Sequence, residues 1–401
     1  MSYQTFTNSA APATPASGKT SEYVDTTGRV VAVNSTGVSN QLSGKNSINF
    51  LRNSGFWFAQ RQAPGTLTTY SNASNRLICA DGWGLTCENA SSQYVRTDTS
   101  GAAEAGLQSR FYGQFTKITS TGKIEVTQVI EGHDAQQLRG RTIRVQVWMR
   151  GLVAASQTVR LGLVNNTGTL DVPTAAMFSA QGANGTDPTL GASLAYIAPK
   201  AGVTPDNATV VGNAASCTVT NSATWQRYGA VFDVPTTAKN LIVVLWSDSQ
   251  LAATNGFAVG QASLTDGYEI MDWAPLSYPV ELARVQRFYS KTFNVDTLPA
   301  ASVAALSGEH RFPSPVTAST AFAVACYWPF PVPMRTAPTL VQFAPTIAGA
   351  VPANITLGTA CTASTLSADG ERGAVWGATT PASTVQGANI LGLHITADAE
   401  L

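Results

Sequence analysis

The side chains able to do chemistry are few in this chain, and their spacing builds no recognisable centre. The three histidines, His133, His310 and His394, stand far apart with no HxxxH or HxE pattern, so zinc catalysis has little to build on. The five cysteines, Cys79, Cys87, Cys217, Cys326 and Cys361, form no CxxC pair, so neither a metal site nor a dense disulfide scaffold is expected. Cys79 and Cys87 are close enough in sequence to bridge a hairpin; the alternative is that all five are buried free thiols. Ser17-Gly18-Lys19-Thr20 imitates the end of a phosphate-binding loop. Ala13 occupies the place of the first glycine, however, and Pro12 and Pro15 exclude a tight anion nest. No GxSxG elbow is present, and no GxGxxG follows a strand.

Glycoside hydrolysis needs only two carboxyl groups that meet in space, so sequence alone cannot set it aside. Glu125, Glu131, Asp134, Asp266, Glu269, Asp272, Glu309 and Asp369 are the better-placed candidates, and solvation of a surface accounts for all of them. Sugars can also be gripped without chemistry, by stacking on aromatic faces. Trp148, Trp225, Tyr228 and Trp246 are the candidates for that role, with core packing as the competing reading of each. The expectation is therefore no catalytic residue, no cofactor and no metal.

The elements that would carry these residues are strands. Only 12% of the 401 residues are charged, against about 25% in an ordinary soluble domain, and 24 basic side chains balance 24 acidic ones. Such a surface offers no pull on nucleic acid or anionic membrane, and it lacks the Glu, Lys and Arg that wet helix faces require. Apolar runs such as Leu241 to Trp246 and Phe322 to Met334 are too short or too proline-broken to span a bilayer. The opening Met1-Ser2-Tyr3-Gln4 has no basic or apolar secretory character, so assembly in a cytoplasm is expected and Asn-x-Ser/Thr matches such as Asn72-Ala73-Ser74 are not glycan sites.

Residues 1–47 are poor in large apolar side chains and read as an extended arm that orders on a partner. Pro12 and Pro15 hold it extended, a small hairpin is expected from Glu22 to Val33, and Tyr23, Val24, Val30, Val31 and Val33 are the side chains able to anchor it. From Ile48 to Trp273 the texture is strands and turns. Thr142 to Arg150 alternates, with Ile143, Val145, Val147 and Met149 on one face and Arg144, Gln146, Trp148 and Arg150 on the other. Lys123 to Ile130, Thr158 to Val164, Arg227 to Val234 and Leu241 to Trp246 read as further strands, and 165–221 as elaborated loops with a short helix near Thr174 to Phe178. One helix is expected over 279–293, with Ser277 as cap, Pro279 in the first turn and Leu282, Val285, Phe288, Tyr289 and Phe293 as its apolar stripe. Residues 297–401 read as a smaller β-sandwich with strands at Phe322 to Trp328, Leu340 to Phe343, Asn354 to Leu357 and Asn389 to Thr396.

Several segments, in order along the chain, resemble bacteriophage virion fibre and decoration proteins that carry a jelly-roll module similar to carbohydrate-binding modules. Asn53-Ser54-Gly55-Phe56-Trp57-Phe58-Ala59-Gln60-Arg61 resembles their N-x-G-F-x-x-W-Q-R strand, with the tryptophan early and Ala59 in its place. Ala80-Asp81-Gly82-Trp83 resembles an A-D-R-W turn. Gln128 to Gly132, Leu138 to Thr142 and Val147 to Gly151 resemble the run Q-x-I-E, L-x-G-x-T, W-x-R. Val280 to Tyr289 resembles the closing E-L-A-x-C-Q-R-Y-Y segment, with Val285 for the cysteine. Pro12 to Lys19 is similar to the leader of phage fibre arms, and Phe330 to Pro338 to a turn in their terminal sandwich.

The resemblance implies a mainly β fold: an extended N-terminal arm (1–47), a jelly-roll β-sandwich closed by one helix (48–296), and a smaller C-terminal β-sandwich (297–401). It implies a non-enzymatic virion-surface protein, capsid or tail, with other virion proteins as partners. A homotrimer is expected, because a thin arm gains order by winding with its own copies. A host-glycan adhesin and a polysaccharide-degrading spike are the alternatives. A depolymerase would need a long repeat, and none is found.

Overall fold

A computed structural model describes residues 16–17, 19–24, 30–34, 39–41, 48–62, 65–70, 76–89, 91–100, 104, 106–119, 121–153, 156–173, 177–220, 225–302, 308–316, 323–380 and 387–400. The chain is mainly β and divides into two compact units, Met1–Ile48 and Asn49–Leu401.

The first unit holds a three-stranded antiparallel sheet of Thr20–Val24, Val30–Asn34 and Ser39–Gln41. The hairpin read from sequence is its first pair, with Tyr23 opposite Val31 and Val24 opposite Val30. Pro12 and Pro15 lie outside the described residues.

The second unit opens with a sandwich of two antiparallel sheets. One has six strands in the order Gln226–Asp233, Thr142–Gly151, Gly256–Asp266, Phe111–Lys117, Ser92–Asp98 and Thr68–Tyr70. The other runs Ala208–Val211, Ala214–Val219, Gln157–Asn166, Asn240–Ser247, Ile124–Ile130, Trp83–Cys87 and Leu77–Ala80, with Leu194–Ile197 also paired to Gln157–Asn166. The alternation in Thr142–Gly151 sends Ile143, Val145, Val147 and Met149 inward, into one core with Val126, Leu161, Val243 and Leu245. Segment 165–221 is richer in strands than its Gly and Asn content suggests, because its β-branched stretches pair at the sheet edge. Of the short helix predicted near Thr174 to Phe178, residues 174–176 lie outside the described ones, and Phe178 begins the strand Phe178–Ala180. Met177 and Phe178 cover Val129, Ile242, Val244 and Trp246 on the outer face of the larger sheet.

Two helices are found among the described residues: α1 (Gly132–Gln137), where the sequence pattern announces none, and α2 (Tyr278–Gln286). The second starts at the expected cap but ends well before residue 293. Tyr289–Lys291 becomes a strand instead, because the C-terminal strand Gly387–Asp398 offers its backbone a ladder partner. The smaller sandwich therefore takes its first strand from upstream of residue 297. Gly387–Asp398 also pairs with His310–Val316, Thr339–Phe343 and Ala353–Asn354.

The strand expected over Asn354 to Leu357 stops at Asn354. Ile355, Thr356, Leu357 and Gly358 form a turn, and the Leu357 amide donates to Asn354 Oδ1 at 3.1 Å. The facing sheet, Ala323–Pro329, Gly373–Thr379 and Ala363–Asp369, closes over Trp376, Leu391, Leu393 and Ile395. Pro329 falls at the end of an edge strand, where no ladder donor is needed. Among the described residues no helix is long and apolar enough to cross a membrane.

Candidate functional site

The loop from Asn53 to Arg61 takes its shape from one side-chain amide. Asn53 Oδ1 accepts the Phe58 amide at 3.0 Å, and Nδ2 donates to the carbonyls of Phe58 (2.7 Å) and Asp81 (3.0 Å). The backbone of Asn53 is left-handed (φ 49°), which asparagine tolerates, and its amide donates to Glu281 of α2. Gly55 has no room for a side chain, since a Cβ would stand 2.7 Å from Ser109 Oγ and 2.8 Å from the Trp273 ring. Arg284 of α2 donates to the carbonyls of Asn49 and Leu51 at 3.1 and 3.2 Å, and Arg287 forks onto Glu131 at 2.7 and 3.2 Å. Segments that carried the virion-protein resemblance thus meet one another as a structural knot.

Two aromatic rings leave this knot for the surface. Trp57, from the loop, is half-buried; Tyr278, at the first turn of α2, is 49% exposed. Their rings lie near-parallel (21°) with centroids 6.2 Å apart, and Tyr278 also leans on buried Phe58. They line an open cleft of about 390 Å³ with Arg96, Arg110, Phe111 and Asp296. A neighbouring hollow of about 320 Å³ shares the last four and adds Val95, Thr97 and Asp98. The guanidinium carbons of Arg96 and Arg110 lie 4.7 and 4.9 Å from the Phe111 centroid. Arg96 donates to the Trp57 carbonyl and to Asp296 Oδ1, the latter at 2.7 Å. Arg110 grips Asp98 through Nε (3.2 Å) and Nη2 (2.8 Å), which holds the Asp98 carboxyl well below its usual range. Burial, with Asp296 nearby, pushes the Tyr278 hydroxyl up, so it stays protonated.

The four aromatics singled out from sequence fare differently. Trp246 is fully buried under Tyr196, and Trp225 and Tyr228 are buried with their polar tips bonded to Glu104 Oε2 and the Thr218 carbonyl. None of the three presents a free ring face. Trp148 is half-buried on the outer face of the six-stranded sheet, beside Leu107 and Leu152. Sequence reasoning passed over Trp57 and Tyr278. The signal was the displaced tryptophan: Ala59, in the position where the motif has Trp, is buried, whereas Trp57 reaches the surface.

The carboxylates scatter. Glu125 is fully buried, Asp266 pairs with Arg141 at 2.7 Å, Glu309 pairs with Arg311, and Glu269, Asp272 and Asp369 are exposed. Glu131 and Asp134 share a hollow of about 490 Å³, and burial beside Glu131 raises the Asp134 carboxyl. Among the described residues no three His, Cys, Asp or Glu side chains could hold a metal ion. All five cysteines are buried and none is in a disulfide; Leu77 stands opposite Leu85, so Cys79 and Cys87 are out of register and the hairpin bridge does not form.

No protein-family model matches the chain, and no curated protein does. Among solved structures it is similar to the carbohydrate-binding module TmCBM61 in complex with β-1,4-galactotriose, at 10% identity, covering 55% of this chain and 100% of that one, with a TM-score of 0.29. It is similar to the xylan-binding domain CBM22-1 from Paenibacillus barcinonensis Xyn10C, at 12% identity over 52% of this chain and 99% of that one, TM-score 0.27. The enzymatically active domain of bacteriophage CBA120 tailspike protein 4 matches at 13% identity over 55% of this chain but only 22% of its own length, TM-score 0.27. Likenesses this distant establish neither ligand nor activity for this chain.

Proposed function

We propose that this chain is a non-catalytic surface protein of a bacteriophage particle whose first sandwich holds saccharide in the Trp57–Tyr278 cleft. The carrying observation is an exposed tyrosine beside a half-buried tryptophan, with Arg96, Arg110 and Asp296 lining the same cleft. Aromatic faces suit the C–H face of a sugar, and planar charged groups suit its hydroxyls. Cleavage would require a carboxylic acid kept protonated beside a second carboxylate. Asp98 is held ionised by Arg110, which suits holding and not protonating.

The particle role is supported by the order of the virion-like segments along the chain. On this reading the first unit anchors the protein to capsid or tail, copies associate as a homotrimer, and the sandwiches face outward. Two experiments test it together. Labelled antibody should decorate intact particles, and the purified full chain should retain glycans on an array of bacterial surface saccharides. Undecorated particles would remove the virion role; an array without any retained glycan would remove the saccharide role.

A further inference from the structure

The cleft lining carries two guanidiniums, Arg96 and Arg110, and one carboxylate, Asp296. Arg96 and Asp296 neutralise each other, because Arg96 Nη2 donates to Asp296 Oδ1 at 2.7 Å. Arg96 Nη1 goes to the Trp57 carbonyl, and the Arg96 side chain is only 6% exposed. Arg96 therefore holds the Trp57 loop and keeps little for a ligand. Arg110 is different. Its side chain is 63% exposed, and its carboxylate partner, Asp98, lines the neighbouring hollow and not the cleft.

A guanidinium has five N–H groups in one plane. Asp98 takes one edge of Arg110, at 3.2 Å from Nε and 2.8 Å from Nη2. Both N–H groups of Nη1 and the second of Nη2 are left, and the outer ones form an end-on fork that matches the two oxygens of a carboxylate. The grip of Asp98 also fixes the plane of the group, so less side-chain freedom is lost when a ligand docks. Phe111, another lining residue, backs it with its centroid 4.9 Å from Arg110 Cζ.

We infer that the cleft takes acidic saccharide, with the carboxylate of a uronic or similar sugar acid on the end-on fork of Arg110 and its ring beside Trp57 and Tyr278. This rests on the saccharide reading above and deepens it. Arg110 sets the specificity, and Asp98 positions Arg110.

The test prints uronic-acid-containing bacterial oligosaccharides on an array, each beside its carboxyl-reduced counterpart. The retained ones are titrated with the full chain, Arg110→Gln and Arg110→Lys. Arg110 is well exposed, so both variants are compatible with folding, which a melting curve checks. The wild type should bind the acidic forms about fivefold tighter than the reduced ones, the scale of one bidentate charged pair at an exposed site. Arg110→Gln should bind the two forms alike. Arg110→Lys, which keeps the charge without the fork, should keep only part of the preference. A wild type that binds the reduced forms as tightly overturns the acid selection and leaves the saccharide reading intact. A folded Arg110→Gln protein with the preference unchanged overturns the role of Arg110, and the full preference in Arg110→Lys overturns the fork. Retention of neither form anywhere on the array overturns the saccharide reading itself.

Discussion

Glu125 shows what burial does to a single side chain in this protein. It sits on Ile124–Ile130 between Thr86 and Trp246 on the neighbouring strands, fully buried. Burial, reinforced by Glu88, raises its carboxyl well above the ordinary 4.5. The unfolded chain loses this proton first, so the stability tied to Glu125 is present below about pH 4.5 and is lost as pH rises toward the folded value. Glu125→Gln cannot ionise. Its urea midpoint should match wild type near about pH 4 and exceed it at about pH 8; parallel pH profiles would contradict this. Sequence marked Glu125 as a candidate for catalysis because a carboxylate on a strand has no visible depth. Depth came from segment 177–196, whose covering role depends on tertiary packing.

At the scale of elements, the last residues of the chain do more than end a strand. Glu400 accepts from Arg52 at 2.9 Å and from the Gly82 amide at 3.1 Å, and Arg61 joins Asp398 at 2.9 Å. Burial would raise the Glu400 carboxyl, but Arg52, Arg61 and Arg76 together hold it below its usual range. Gly82 adopts φ 84° in this knot, and a Cβ there would stand 2.7 Å from Arg52 Nε. Removing one member of a buried ionic network strands its partners. Glu400→Ala should therefore cost about 3–5 kcal/mol in denaturant unfolding; a change within about 0.5 kcal/mol would show the network to be incidental. Strand periods such as Thr142–Gly151 and Ala323–Pro329 were legible because alternation is local. The early end of α2 was not, because the partner that converts Tyr289–Lys291 to strand lies far away, at the end of the chain.

For the whole molecule, composition carried the fold class: few charges, abundant small polar residues and turn formers allow strands and deny long wet helices. The candidate site was less legible. Burial distinguishes the aromatics: Trp225, Tyr228 and Trp246 lie in the interior, whereas Trp57 and Tyr278, which stand on opposite sides of the first sandwich in sequence, reach the surface. The central claim is that these two rings form a saccharide platform, and isothermal titration of the full chain with an oligosaccharide retained on the array tests it most directly. Tyr278 is half exposed at a helix start, so Tyr278→Ala should fold normally and lose affinity by about fivefold or more, the worth of one aromatic face. Equal affinity in the folded Tyr278→Ala protein, with loss on Trp148→Ala instead, would place the sugar on the outer face of the six-stranded sheet and contradict the claim.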